Sequence, residues 1–325
     1  MEYENGNHWG GKRILITGGT GFVGNALYKK LVSLGGEVFR FNSLECNLEY
    51  PRDTDEAFKK RAALDYIFHL ASWTKPGPFC LYHSAEQYHR NTLIHVNVLS
   101  AWHRFHPQAK LIGIGSSCSY PGAISELHET DYWNGEPHES LLAYAMTKRM
   151  LYAGQIAYGK QYGLKSIHPI FATVYGPDDY FDEERSHCAS ALIRRFCIAA
   201  HRGDPEVVVW GDGSQEREFV YIDDQIDGLL VAAQYHESGL INLGTNIKTR
   251  IRDLVGIIAG VCGYLGNVRY DETKFVGIKT KSLNSDMAYQ RYGWVAKTTV
   301  ADGVANTVRW YIENRLRADI GACDD

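Results

Sequence analysis

Lys12-Arg13-Ile14-Leu15-Ile16-Thr17-Gly18-Gly19-Thr20-Gly21-Phe22-Val23-Gly24 is the stretch on which the architecture turns. An apolar run bounded by charge and then by glycine reads as a buried parallel strand. From Asn25 to Leu34, Ala26, Leu27, Leu31, Val32 and Leu34 recur at helical spacing, and Gly35-Gly36 ends the pattern. Glu37 to Phe41 reads as a second strand. Strand, glycine turn, helix and strand in this order form a βαβ unit of the dinucleotide-binding kind. Gly18 lets the chain leave the strand sharply, Gly21 lets backbone approach a diphosphate, and Gly24 lets helix pack close to sheet. The first N–H groups of the helix then face the phosphates. Cofactor contacts are expected from Gly18, Thr20, Gly21, Phe22, Val23 and Gly24, and from Leu70 and Ala71 after the third strand.

The alternation continues. Leu64–Leu70, Leu111–Gly115 and Lys165–Phe171 read as strands, Leu93–Phe105 and Leu141–Tyr162 as helices, and Pro76-Gly77-Pro78, Pro121-Gly122 and Gly176-Pro177 as loops. The fold expected is α/β: a Rossmann-type doubly wound parallel sheet with a smaller C-terminal substrate-binding lobe. From about Pro177 the pattern becomes irregular. Residues 12–176 with about 217–245 are therefore assigned to the dinucleotide-binding domain, and about 177–216 with 246–325 to the second lobe.

Composition narrows the function. The 325 residues are 45% hydrophobic and 22% charged, as in ordinary globular proteins. A net charge of −4 gives no general basic surface for nucleic acid, and no apolar run is long enough to span a bilayer. The seven cysteines are dispersed, without a CxxC or CxxH pair, so no metal site is expected. The polar residues after Met1 do not read as a secretory signal, and a reducing cytoplasm fits this cysteine usage.

Tyr144 and Lys148 stand four residues apart, on one face of the long helix. An ammonium near a phenol favours phenolate, and would lower the phenol's pKa so that it can exchange a proton with an alcohol or ketone. Ser116, after the apolar strand, offers a hydroxyl to hold the substrate oxygen. With 21 tyrosines in the chain the Tyr-Lys pair alone is a weak signal; its order after the glycine turn and the strand-end serine gives it weight. The end of the second strand, Val38 to Ser43, carries no carboxylate for the ribose of NAD, whereas Arg40 can pair with the 2′-phosphate of NADP. NADP(H) is the cofactor expected; an exposed strand-end arginine is the alternative for Arg40.

This combination resembles the extended short-chain dehydrogenase/reductase family from about Lys12 to Asn314, and within it the GDP-L-fucose synthase family. Gly115 to Pro121 (GSSCSYP), Val174 to Pro177 (VYGP), Ser186-His187 with Ala191 to Phe196, and Gly211-Asp212-Gly213 with Arg217-Glu218-Phe219 and Ile222-Asp223-Asp224 are similar to segments of that family. The resemblance implies an NADPH-dependent epimerase/reductase acting on a GDP-4-keto-6-deoxy-sugar, and a homodimer formed through the Leu93–Phe105 helix and the helix of Tyr144, with Met150, Leu151 and Ile156 on its apolar face. It implies hydride transfer at C4 served by Ser116, Tyr144 and Lys148. Cys118 and His187 would be the acid–base pair that inverts C3 and C5. Ser117, Arg195, Trp210 and Arg217 would contact the substrate. Structural roles for Cys118 and His187 are the alternative. The chain departs from the family in its generic TGGTGFVG turn, in Thr173, and in the acidic stretch Asp178 to Arg185. Another nucleotide sugar, such as a GDP-4-keto-6-deoxy-heptose, stays open as substrate. From another class, a non-catalytic NADP-binding sensor is the competing reading, against which the intact Ser116, Tyr144 and Lys148 speak.

Overall fold

The computed structural model of the chain describes residues 8–75, 79–182, 184–274 and 276–321. The expected loop at Pro76–Pro78 and Cys323 lie outside the described residues. The chain first runs β1 (Arg13–Thr17), α1 (Phe22–Ser33), β2 (Glu37–Arg40), β3 (Tyr66–His69), α2 (Ser84–Phe105), β4 (Lys110–Gly113) and β5 (Gly115–Ser116). It continues through α3 (Leu142–Tyr162), β6 (Ser166–Phe171), α4 (Cys188–Arg202) and β7 (Gly239–Leu243). The strands form one parallel sheet in the order β7-β6-β4-β3-β1-β2, with β5 also paired to β6. This is the doubly wound sheet expected from the sequence.

The two faces can be read from β1 alone. Ile14 and Ile16 join one apolar cluster with Leu27 and Leu31 of α1. Leu15, between them, joins another with Val98 and Trp102 of α2 and Leu151 of α3. A strand covered by helices on both faces needs an uninterrupted apolar run, which is what β1 has.

Two boundaries differ from the expectation. The helix expected at Leu93–Phe105 begins at Ser84. Its early inward positions are polar, Gln87 and Asn91, so hydrophobic spacing does not register them. The strand expected at Leu111–Gly115 is split, β4 ending at Gly113 and β5 carrying Gly115 and Ser116. Leu151 is fully buried in the chain's own core and takes no part in an outward apolar face of α3. Outward on α2 and α3 stand instead Tyr88, Val96, Leu142 and Met146.

Beyond β6, α4 packs on the helices Ile251–Cys262 and Val300–Asn314. The strand Glu206–Trp210 pairs with Asn267–Asp271, away from the main sheet. The buried Glu218 carboxylate accepts N–H groups of Thr245, Asn246 and Leu283 at 2.5, 2.9 and 2.7 Å, tying three distant segments together. Among the described residues no helix is long and apolar enough to cross a membrane.

Candidate active site

The glycine turn lies at the carboxyl end of β1, where ligands of open α/β sheets bind. Gly18 has φ +70°, and a Cβ there would come within 2.7 Å of the Ala71 nitrogen. A Cβ on Gly24 would overlap the Gly18 carbonyl and approach Gly19 Cα to 2.8 Å. Gly21 is different: a Cβ there would make only ordinary contacts, with the Gly18 carbonyl at 3.5 Å and the Tyr180 hydroxyl at 3.8 Å, so this position is less crowded than its two companions. Gly21 caps α1 without any side-chain hydrogen bond to the helix N-terminus. Free N–H groups at a helix N-terminus led by glycine fit a dinucleotide diphosphate. Thr20 is exposed on the turn, Phe22 and Val23 open α1, and Leu70 and Ala71 close the floor through bonds to Thr17.

Arg40, at the end of β2, reaches back over this turn. Its Nη1 donates to the Gly19 carbonyl at 3.0 Å and to Asn25 Oδ1 at 2.8 Å, and its guanidinium lies 3.8 Å from the centre of the Tyr28 ring. Those contacts employ one corner of the guanidinium; Nε and Nη2 form a second fork, suited to a phosphate.

β5 sets Ser116 at the sheet edge and α3 brings Tyr144 to it. Ser116 and Ser72 lie beside the Tyr144 phenol, where their hydroxyls act to lower its pKa. The Lys148 ammonium lies 5.8 Å from the centre of the Tyr144 ring and donates to the Ile114 carbonyl at 3.1 Å. Burial pulls Lys148 down to about 8. Burial also pushes the phenol up, with the neighbouring Cys118 and Cys80 adding to the rise, and the two serine hydroxyls only partly oppose it. The sequence reasoning expected an ammonium to lower this phenol; here desolvation is the larger effect. The resting tyrosine is therefore a proton donor.

Ser117 and Cys118 lie in a short 3-10 turn after β5, and Cys118 N donates to Ser116 Oγ at 3.2 Å. Lys281 lies near the Cys118 thiol; burial lowers the lysine's pKa, Cys118 opposes that, and Arg217 adds to it. His187 caps α4, and desolvation lowers its pKa, leaving a neutral imidazole. Arg195 donates to the Val208 carbonyl at 2.5 Å. Arg217 is held by the carbonyls of Glu216, Lys279 and Val276, and its charge acts on both Cys188 and Cys118. Trp210 stands partly exposed at the end of its strand. Arg194, next to Arg195, pairs instead with Asp319 on the far side.

The profile of the NAD dependent epimerase/dehydratase family matches residues 14–246. The chain belongs to that family. It is 32% identical to a probable GDP-L-fucose synthase 1 of Oryza sativa subsp. japonica, over 95% of this chain and 94% of that one. It is also 32% identical to the GDP-L-fucose synthase of Escherichia coli strain K12, over 94% and 98%. Among solved structures, the fold superposes on a GDP-L-fucose synthetase from Naegleria fowleri bound to NADP with a TM-score of 0.82, at 25% identity, covering 94% of this chain and 95% of that one.

Within this epimerase/dehydratase framework, several residues escaped the sequence reading. Ser72 follows Ala71, and its hydroxyl donates to Asn91 Oδ1 at 3.0 Å. Asn25 and Tyr28 sit at successive turns of α1 and hold Arg40. Cys188, beside His187, is an exposed cysteine near Arg217 and Arg195. Lys281 comes from a segment with no strong pattern of its own. Of these, Asn25 was the one open to inference, since it lies one turn into the helix below an arginine already singled out.

Proposed function

We propose that the protein is an NADPH-dependent epimerase/reductase of a GDP-4-keto-6-deoxy-sugar, similar in activity to the GDP-L-fucose synthases it resembles. The observation that carries this reading is the meeting of Ser116, Tyr144 and Lys148 at the end of β5, with Cys118 in the turn that follows and Lys281 near it. A simple reductase would not require the second group.

A ketone at C4 acidifies the C–H bonds at C3 and C5. One group removes a proton there and another returns one on the opposite face, so that each centre inverts with no net change in atoms. Cys118 and His187 fill these two roles, both being side chains that titrate near neutrality when suitably placed. Bound NADPH supplies hydride to C4. Tyr144 donates its phenolic proton to the C4 oxygen, Ser116 orients that oxygen, and the Lys148 ammonium stabilises the phenolate left behind. Reduction removes the ketone and ends the exchange. Arg195, Arg217, Ser117 and Trp210 would hold the phosphates and the sugar nucleotide, with cationic donors for the diphosphate.

For the cofactor, Gly18, Gly21 and Gly24 would lie against the diphosphate and Arg40 against the 2′-phosphate. In the two-lobe division, residues 12–176 with about 217–245 bind dinucleotide and the rest binds substrate. The exposed Tyr88 and Val96 of α2 with Leu142 and Met146 of α3 support a homodimer through these helices. Six unbridged cysteines among the described residues suit a reducing cytoplasm.

The test is NADPH oxidation with GDP-4-keto-6-deoxy-mannose in deuterated water, the product being read by NMR. Deuterium at C3 and C5 with a new alcohol at C4 supports the reading. NADPH binding without turnover of any 4-keto nucleotide sugar rejects it in favour of a sensor.

A further inference from the structure

The acidic stretch from Asp178 to Arg185, where the chain departs from the fucose synthase pattern, lies against the dinucleotide turn, and the mechanism above does not use it. It leaves the strand Thr173–Tyr175 through Gly176-Pro177 and leads into His187 and α4. Asp178 takes the left-handed conformation, φ +67°, and its carboxylate receives Lys29 of α1 at 2.6 Å. Further on, the Glu184 carboxylate receives Lys75, from the segment after β3, at 2.8 Å. Between the two ion pairs Phe181 is buried against Trp310 and Tyr311, with ring centres 5.8 and 4.9 Å away. The segment is thus fastened to α1, to the chain beyond β3 and to the helix Val300–Asn314.

Tyr180 stands between these fastenings. Among the described residues, a Cβ on Gly21 would meet one side chain within 4 Å, and it is the Tyr180 hydroxyl at 3.8 Å. The second glycine of such a turn lacks a Cβ so that a diphosphate can come close, and the hydroxyl lies on that side of it. The ring is backed by Arg185, whose guanidinium lies 4.5 Å from its centre. The hydroxyl itself has no hydrogen-bond partner among the described residues. An acidic segment would ordinarily repel a diphosphate, but its described carboxylates are already matched. Asp178 is held by Lys29, Asp182 by Arg185, Glu184 by Lys75, and the buried Asp179 by the Ser190 hydroxyl and the Tyr180 N–H. What the segment offers to the turn is a phenolic O–H donor.

We propose that Tyr180 is a cofactor-binding residue whose hydroxyl donates to the dinucleotide diphosphate, and that the Lys29–Asp178 and Lys75–Glu184 pairs hold it there on a strap that opens for NADP(H) to enter or leave. The two parts act on different rates. The ion pairs join protein groups alone, so they resist opening with or without cofactor and slow entry and exit alike, leaving the dissociation constant nearly unchanged. The Tyr180 bond exists only in the complex, so it slows exit alone. The inference rests on NADP(H) as the cofactor and not on the sugar chemistry proposed above.

NADPH association and dissociation are followed by stopped-flow nicotinamide fluorescence on the full chain, with no sugar present. Tyr180→Phe should raise the dissociation rate about tenfold, as for loss of a hydrogen bond to a charged group, with the association rate unchanged. Its affinity for adenosine 2′-monophosphate, which lacks the diphosphate, should stay native by calorimetry. Both ion pairs are partly exposed, so each contributes modestly. Lys29→Met combined with Lys75→Met should raise both rates together, by about fivefold at low salt. That excess over the native chain should vanish near about 0.5 M salt, where exposed pairs are screened. An unchanged dissociation rate in Tyr180→Phe, or an equal weakening of adenosine 2′-monophosphate, overturns the contact. Unchanged rates in the double-lysine variant overturn the strap. Should the variants not fold, a crystal structure of the native chain with NADP⁺ decides: the Tyr180 hydroxyl within hydrogen-bond distance of a diphosphate oxygen supports the proposal, and a hydroxyl turned away from the diphosphate refutes it.

Discussion

Replacing Arg40 with alanine separates cofactor choice from simple stability of the glycine turn. In the structure Arg40 does two things. Through Nη1 it binds the Gly19 carbonyl and Asn25, which steadies the turn for any dinucleotide. Through Nε and Nη2 it leaves a fork free, which only a 2′-phosphate would fill. The first role amounts to ordinary hydrogen bonds, about 1 kcal/mol in net effect, or about fivefold in affinity for NADH and NADPH alike. The second is a charge-assisted pair worth about 1.5 to 3 kcal/mol, and it applies to NADPH alone. Arg40→Ala should therefore weaken NADH about fivefold and lower the NADPH-over-NADH preference by a further factor of about 10 to 150. Dissociation constants for both, measured by nicotinamide fluorescence at one ionic strength, read the two effects independently. If both cofactors weaken by the same factor, Arg40 only braces the turn and the 2′-phosphate is read elsewhere.

Other outcomes follow from the same geometry. Tyr144→Phe should retain NADPH binding while lowering kcat by about 10² to 10⁴, the range for loss of a general acid, as measured by NADPH oxidation. Cys118→Ser should bind NADPH normally yet incorporate little deuterium at C3 or C5; unchanged incorporation would remove Cys118 from the chemistry. The kcat of the native enzyme should fall as pH rises through about 8, because Lys148 acts as the ammonium and burial brings its pKa down to about 8 from near 10.5. A pH–rate profile flat to about pH 10 would contradict the burial argument.

How far the sequence could be read depended on which interaction organised each part. β1 and α1 were legible because apolar burial on both sheet faces leaves a simple spacing, and the glycines stand where backbones must touch. The first turns of α2 were not, since Gln87 and Asn91 are buried by hydrogen bonding: Gln87 Nε2 donates to Thr74, and Asn91 accepts from Ser72 and Trp73. A buried amide looks like a surface residue to a hydrophobicity pattern. The order Ser116, Tyr144, Lys148 was visible, because two of the three share one helix. The side chains that surround them were not. Ser72, Lys281 and Cys188 come from different elements, and no spacing along the chain encodes their approach. The sign of the Tyr144 shift was misjudged for the same reason: the Tyr-Lys interval advertises a cation, while desolvation depends on everything packed around the phenol.

That desolvation gives the site a direction. The phenol is pushed up, while Lys148 and His187 are pulled down, all three mainly by burial. A protonated phenol can give its proton to a C4 oxygen but cannot take one from an alcohol, so the resting enzyme is set for reduction. Before that step the same phenol, hydrogen-bonded to the ketone, draws electron density from C4 and makes the neighbouring C–H bonds more acidic. In the proposed mechanism Tyr144 thereby assists inversion first and ends it afterwards. Once its proton is committed to the C4 oxygen the ketone is gone, and with it the acidity on which Cys118 and His187 depend. The order of the two reactions then needs no separate gate: it follows from one buried hydroxyl, kept protonated by its surroundings, standing beside a lysine that becomes most useful when that proton has left.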